Sequence, residues 1–436
     1  MKRHQLPLLI FAALLLGNLL LGFRVYSAEA KAQGAEDILE NIDMMMEVLQ
    51  LIRKNYVDAD QVKANELLQG AIAGMVMSLD PYSNFLPPSE MKQLMEETEG
   101  EFGGVGISVS FKDEQLVVVA TIDGTPAHKA GILAGDVIVA VDGRRLIGTR
   151  LDEAVKMLRG PNGSKVTVTI QRPDVEEEFS LELTRAMIPL ESVAGVKVLP
   201  DSSIGYLRLT QFMEPTAAEL EKALKELEAK NISGLILDLR DNPGGLLGSA
   251  VDVCSYFLPP GQVVVSVEGR DAGQNYQEKS RDGYKFPQKC PLVLLINGGS
   301  ASAAEITAGC LRDLNRAILL GDRTFGKGSV QNIHQLSQGF ALKLTIAKYF
   351  TPSRRVIHNQ GIEPDIKVTM TPEQYLQLIK TPEQERYAID PQLQRAAEVL
   401  KSFTVYENIR KGKVKAEAVQ TPAATDDSGA QSAERK

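Results

Sequence analysis

Leu292-Val293-Leu294-Leu295-Ile296 runs directly into Asn297-Gly298-Gly299-Ser300-Ala301-Ser302-Ala303-Ala304-Glu305. Five consecutive apolar residues predict a strand buried on both faces. Glycines and small residues then turn the chain, and an alanine-rich stretch opens a helix through about Asp313. Strand, tight turn and helix in this order predict an α/β core with largely parallel pairing. A serine at such a turn faces the free N–H groups and the dipole of a helix N-terminus, which favour a developing anion. On these residues alone two readings stay open. Ser300 is an N-cap and Ser302 an ordinary first-turn residue, or one of them is a nucleophile.

The same texture extends on both sides. Ile204–Leu209 and Gly234–Leu239 read as strands, Leu247–Tyr256 as a helix, and Ala317–Leu320 and Phe340–Tyr349 as further strands. Thr216 with Glu219 predicts a capping box for a helix to about Ala229. Residues 36–79 read as helix, with Ile38, Ile42, Met45, Met46, Leu49 and Ile52 as its buried stripe and the methionines as core fillers. Thr381 to about Arg410 reads as a helical appendage. Residues 412–436 are polar and without periodicity, a disordered tail.

The chain has 436 residues, 44% of them apolar and 24% charged, with a net charge of −8. That is ordinary globular usage over several domains. The acidic balance argues against nucleic acid as a partner. Cys254, Cys290 and Cys310 have no metal-ligand spacing and read as buried free thiols. Lys2 and Arg3 precede an apolar run, Leu6–Phe23, followed by Ser27-Ala28-Glu29-Ala30. This is the pattern of an export signal, cleaved or kept as an anchor. The expected location is the periplasm or the outer face of the cytoplasmic membrane, with membrane contact only through an uncleaved N-terminal segment.

A serine nucleophile needs a base. The four histidines are His4, His128, His334 and His358, and no nucleophile-elbow motif is present. A lysine serves instead if burial lowers its pKa. The candidate is Lys327 in Gly326-Lys327-Gly328-Ser329-Val330-Gln331, with Gln331 placed to orient the amine. Gly321 to Lys327 also matches seven positions of a phosphate-binding loop. Its eighth position, Gly328, lacks the hydroxyl that holds magnesium, and the following residues alternate as a strand, so nucleotide binding is set aside. Further upstream, Gly104-Val105-Gly106-Ile107 precedes a strand and can present successive N–H groups to a carboxylate. The elements that follow it predict a mixed α/β module of about 80 residues. They include Thr125-Pro126-Ala127, Gly135-Asp136-Val137-Ile138 and Val141-Asp142-Gly143. In this module Arg159 reads as a solvated surface residue, with a bridge to the catalytic core as the alternative.

That module resembles a PDZ domain of the circularly arranged type found in bacterial proteases. The chain as a whole resembles the carboxyl-terminal processing proteases, exported serine proteases with a Ser-Lys pair. The resemblance rests on Leu79-Asp80-Pro81-Tyr82-Ser83, Gly100-Glu101-Phe102-Gly103-Gly104, Leu237-Asp238-Leu239-Arg240-Asp241-Asn242-Pro243-Gly244-Gly245, the Ser302 and Lys327 motifs, Tyr349-Phe350-Thr351-Pro352-Ser353 and Gly361-Ile362-Glu363-Pro364-Asp365. Tyr82 departs from the histidine frequent in that family.

The resemblance implies a multidomain α/β protein. Its parts are a signal or anchor (1–30), a helical region (31–98), the inserted PDZ domain (99–185), a crotonase- or ClpP-like serine protease core (186–370), a second helical region (371–411) and the tail. It implies Ser302 as nucleophile, Lys327 as base and Gln331 as orienting partner. The oxyanion hole would be the N–H of Ala303 with that of Gly244 or Gly245. Gly104, Val105, Gly106 and Ile107 would take the substrate's apolar C-terminus. Asp238 and Arg240 read as a structural pair, and Glu305 as either a tuning or a capping carboxylate. No metal or organic cofactor is expected; an adaptor protein and self-association are conceivable partners. The rival class is a non-catalytic PDZ scaffold; a crotonase-type thioester enzyme fits the core but not the signal and PDZ module.

Overall fold

The computed structural model describes residues 38–410, apart from 113–114, 174, 272, 274 and 383–384. The expected signal at 1–30 and tail at 412–436 lie outside the described residues. The chain divides into two compact units, one ending at Phe85 and the other beginning at Leu86. Among the described residues, no helix is long and apolar enough to cross a membrane.

The first unit holds helix α1 (residues 38–55) and α2 (Ala64–Met77). The single helix expected over 36–79 is broken at 56–63, where Asp58 precedes a short 3-10 turn and Val62 leaves helical torsions. The expected burial of the stripe is overturned over its first four residues. Ile38 is 62% exposed, and Ile42, Met45 and Met46 are exposed with it, while Leu49 and Ile52 are half-buried. Among the described residues of this unit α2 buries only Val76, which leaves little core to cover the stripe. Strand β1 (Asn84–Leu86) lies at the junction.

The second unit opens with α3 (Pro88–Glu99), where Pro88 fits the first helical turn. Gly100 ends it at φ 77°, where an added Cβ would fall 2.9 Å from Pro215. Strand β2 (Glu101–Gly104) follows. The next module contains β3 (Ile107–Lys112), β4 (Gln115–Thr121), α4 (Pro126–Lys129), β5 (Val137–Val141), β6 (Arg144–Arg145), α5 (Leu151–Leu158), β7 (Lys165–Gln171) and β8 (Phe179–Thr184). Its sheet runs β3-β4-β5-β7-β8, so β3 is an edge. Alternate residues of β7, Val166, Val168 and Ile170, are buried with Leu116, Ile138 and Ala154. Strand β9 (Ala186–Pro189) returns antiparallel to β2, with Phe102 opposite Ile188, so one ribbon carries both ends of the module.

The core begins with β10 (Val193–Val198), β11 (Ile204–Leu209), α6 (Thr216–Ala229), β12 (Gly234–Asp238) and α7 (Leu247–Phe257). It continues with β13 (Val263–Gly269), β14 (Tyr276–Lys279), β15 (Leu292–Ile296), α8 (Ala303–Asp313), β16 (Ile318–Gly321), β17 (Ser329–Gln335) and β18 (Ala341–Phe350). Strand β19 (Ile366–Lys367), α9 (Pro372–Lys380) and α10 (Pro391–Arg410) complete it. One sheet runs β10-β11-β12-β15-β16-β19 and is parallel from β11 onward. Every residue of β12 and β15 is buried, as their unbroken apolar runs require. Helices α6, α7 and α8 cover one face, where Leu224, Cys254 and Cys310 pack. Helix α10 covers the other through Leu393, Ala396, Ala397 and Leu400. Strands β13, β14, β17 and β18 pair in a second sheet.

Two expectations change here. Thr216 and Glu219 form no capping box. The Thr216 hydroxyl accepts from Met213 N and closes the preceding loop, and Glu219 takes the N–H and hydroxyl of Ser192. A tertiary demand on each side chain has displaced the local motif. The appendage expected from Thr381 contains its long helix only from Pro391, with α9 ending before it.

The consequence for function is topological. The loops after β12, β15 and β16 leave the carboxyl ends of three neighbouring parallel strands. In open α/β sheets ligands bind at that edge.

Candidate active site

The loop after β15 is shaped by buried hydrogen bonds. The Ser300 hydroxyl donates to Leu239 O at 2.7 Å, and Ala301 N donates to Asn242 O at 2.9 Å. These ties deliver Ser302 to the N-cap position of α8 at φ 54°, ψ −114°. A non-glycine residue there is strained by about 1–3 kcal/mol, and such strain gathers at functional sites. Ser300 is fully buried, so of the two candidate serines only Ser302 reaches a cleft.

Glu305 answers the question its position left open. It is fully buried and accepts four hydrogen bonds. Oε2 takes the N–H of Ser302 at 2.9 Å and of Lys327 at 2.8 Å. Oε1 takes the Thr324 hydroxyl at 2.5 Å and the N–H of Gly326 at 2.8 Å. One carboxylate therefore caps α8 and pins the loop after β16. The backbone nitrogens of Ser302 and Lys327 share Oε2, so they lie at most 5.7 Å apart, the sum of the two distances. Burial pushes the Glu305 carboxyl up, against the pull of its hydrogen bonds.

Burial likewise lowers the Lys327 amine below the ordinary lysine range. Tyr349, itself buried, donates its hydroxyl to the Lys327 carbonyl. Gln331 lies in the same cleft. Its Nε2 donates to the Ser329 hydroxyl at 2.9 Å and the Thr345 hydroxyl at 3.2 Å. With Nε2 engaged there, the atom of Gln331 able to accept from an amine is Oε1.

The loop after β12 completes the wall. Gly244 has φ 97°, and a Cβ added to it would lie 2.6 Å from Ser302 Cβ and 2.8 Å from Ala303 N. Asn242 Oδ1 accepts the Gly244 N–H at 2.9 Å. The N–H groups of Gly245 and Ala303 have no acceptor among the described residues. Of the two glycines considered, only Gly245 has a donor to offer. Phe212 holds this turn, donating its N–H to Gly244 O at 2.9 Å and accepting from Leu246 N at 2.8 Å. Ser302, Ala303, Lys327, Gln331, Gly244 and Gly245 thus line one cleft of about 780 Å³, walled by apolar Leu246, Leu247, Ile306 and Ile346.

The second predicted site lies in the β3 module. Gly104 belongs to β2 and pairs with Ala186, and Ile107 begins the edge strand β3. Between them, the carbonyls of Val105 and Gly106 accept from Ala127 and Ile122, and the two N–H groups have no acceptor among the described residues. Gly106 has φ 79°, and a Cβ there would meet Thr125 at 2.4 Å. Free N–H groups beside an open strand edge can hold a chain-terminal carboxylate while the chain adds as a strand.

Arg159 is not a solvated surface residue. Its guanidinium lies 4.3 Å from the Phe102 ring centroid, with Nε buried. It stacks there because α5 ends beside the β2–β9 ribbon, linking the module to the chain that enters the core. Asp238 and Arg240 do pair, at 2.6 Å, and Asp390 adds a second carboxylate to the same guanidinium at 2.8 Å. The sequence reading missed Thr324, Asn242, Phe212 and Tyr349 as supports. Thr324, Asn242 and Tyr349 had a signal, since each sits within a quoted motif, and Phe212 had none.

Comparison with known proteins bears on this geometry. The profile of peptidase family S41 matches residues 203–368, that of the PDZ domain matches 117–172, and that of the activating protease CtpB N-terminal domain matches 23–88. A carboxy-terminal-processing protease of Bartonella bacilliformis is 42% identical over 76% of this chain and 75% of its own length. The carboxy-terminal processing protease CtpB of Bacillus subtilis is 36% identical over 78% of this chain and 70% of its own length. A solved structure described as photosystem II D1 C-terminal processing protease is 32% identical. It covers 74% of this chain and 92% of its own, with a TM-score of 0.43.

Proposed function

The chain belongs to the carboxy-terminal processing proteases of peptidase family S41 and is a PDZ-containing serine peptidase; from that premise we propose that Ser302 is its nucleophile and Lys327 its general base. The observation that carries this is the shared Glu305 oxygen, which holds the two backbones at most 5.7 Å apart on one cleft.

The neutral Lys327 amine takes the Ser302 hydroxyl proton as Oγ attacks the peptide carbonyl. The N–H groups of Gly245 and Ala303 stabilise the oxyanion. The lysine ammonium then protonates the departing amine, leaving an acyl ester on Ser302. Water, deprotonated by the same lysine, hydrolyses the ester. Gln331 Oε1 orients the amine. Neutral amine is required, and the amine titrates below its ordinary range. Activity therefore rises with pH through that lowered value and levels above it.

The β3 edge with the Val105 and Gly106 N–H groups captures the apolar C-terminus of a protein substrate. The enzyme works beyond the cytoplasmic membrane, a reading supported by Lys2, Arg3 and the apolar run at Leu6–Phe23. Residues 1–30 fused to a reporter active only after export test that point; a silent reporter refutes it.

Ser302→Ala and Lys327→Ala each lower turnover of an unstructured substrate by at least about 10³-fold, with folding checked by circular dichroism. A serine-directed phosphonate labels the wild type at Ser302. Retained turnover in either variant refutes the pair, and a protein that binds C-terminal peptides but never turns over is the scaffold reading.

A further inference from the structure

The cleft contains a second lysine. Lys343 lies on β18, opposite Ile333 of β17 and two residues before Thr345, which fixes Gln331. Side chains two apart on a strand share a face, so Lys343 is on the face that meets the lysine loop. It is half-buried and lines the same cleft as Ser302 and Lys327. It forms no ion pair among the described residues. An unpaired cation in a partly apolar cleft is unfavourable, and nothing in the fold requires it.

We propose that Lys343 is a positioning residue for the peptidase reaction, presenting a like charge across the cleft that keeps the Lys327 amine unprotonated. The proposal rests on the reading of Lys327 as base. Among the described residues, the elements around that amine carry several titratable groups, including His358 on the segment packed against Gly328. Helix α8 brings Glu305, whose negative charge favours the ammonium but whose oxygens are engaged by Ser302, Thr324, Gly326 and Lys327 backbone or hydroxyl donors. Strand β18 brings Lys343 and Tyr349, β14 brings Tyr276, and α3 brings Glu97 to the cleft wall. After burial, repulsion from Lys343 is the larger influence on Lys327, ahead of the attraction from Glu305. Burial alone lowers a lysine by removing water and other polar partners. A like charge lowers it without removing polar partners, so the amine stays oriented and stays a base.

The test compares pH profiles of kcat/KM for the full chain with those of Lys343→Met and Lys343→Arg. The methionine variant moves the acid limb up by about one pH unit, losing about tenfold at pH 7 and rejoining the wild type by about pH 10. The arginine variant, which keeps the charge, keeps the limb. In parallel, trace labelling of Lys327 by acetic anhydride, read by mass spectrometry against pH, follows the amine without turnover. Its midpoint moves up in Lys343→Met. A loss equal at all pH values, an equal loss in the arginine variant, or an unmoved labelling midpoint overturns the proposal. A rise in KM confined to acidic substrates, with the midpoint unmoved, overturns it in favour of substrate recognition. Turnover surviving Lys327→Ala would refute the base reading instead, and the labelling result would still stand on its own.

Discussion

Two glycine turns leave backbone N–H groups without acceptors among the described residues, and both face an oxygen anion in the proposed reaction. At Val105-Gly106 the anion is a carboxylate that arrives already charged. At Gly244-Gly245 it is an oxyanion that exists only while Ser302 is attacking. The surroundings differ accordingly. The first turn is buried at Val105 and Gly106, lies beside a free strand edge and is held by carbonyl bonds to Ala127 and Ile122. The second leaves Gly245 exposed to the cleft but is tied on both sides by Phe212, with Asn242 occupying the N–H of buried Gly244. A stable ligand can settle along a strand edge after it arrives. A site that accelerates a reaction needs donors fixed before the charge appears, because only interactions stronger in the transition state raise kcat.

Single methyl groups break this comparison most sharply. Gly244→Ala sets a Cβ 2.6 Å from Ser302 Cβ at φ 97°. It should lower kcat by about 10²-fold or more with a smaller effect on KM, measured by steady-state kinetics on a folded variant. Gly106→Ala sets a Cβ 2.4 Å from Thr125 at φ 79°. It should raise KM about tenfold for substrates with apolar C-terminal tails and change kcat less. The same kinetic split in both variants would mean that the two turns do not serve different steps.

A smaller effect separates the two regions by their buried charges. In the PDZ module Asp136 pairs with one guanidinium, that of Arg172, through Nε at 2.8 Å and Nη2 at 2.8 Å, and also accepts the Leu133 N–H at 2.9 Å. In the core Arg240 is held by two carboxylates. Burial would raise Asp136, but its bonds to Arg172 and the Leu133 N–H hold it below the usual carboxylate range. A lowered carboxyl contributes stability above its unfolded value, and that contribution is lost as pH falls through the folded value. Arg172→Ala should lower stability at pH 7. The difference from wild type should shrink as pH falls below the unfolded carboxyl value of about 3.9, as followed by thermal unfolding. A gap that persists unchanged in acid would show that the arginine acts through packing alone.

How much of this was legible depends on how far apart the cooperating residues are. Strands β12 and β15 were readable because five apolar residues in a row have few other fates. The turn carrying Ser302 was readable because small residues between a buried strand and a helix leave few other conformations, whereas which of its serines faces a cleft was left open. The capping box at Thr216 and Glu219 was misread because both side chains had stronger partners elsewhere, at Met213 and Ser192. The stripe of α1 was misread because periodicity reports which face is apolar and says nothing about whether a neighbour covers it.

Contiguous chemistry therefore settled the fold class, the order of the modules, and the residue types from which a hydrolytic site is built. Short-range sterics and hydrophobic runs act within a few residues and leave their mark in order along the chain. Tertiary structure alone decided that Glu305 joins the serine and lysine loops, that Gly245 and not Gly244 has an N–H to give, and that Asp390 meets Arg240 across 150 positions. Each of those outcomes turns on which donor reaches an acceptor first once distant segments have packed, and hydrogen bonds act over about 3 Å whatever the separation in sequence.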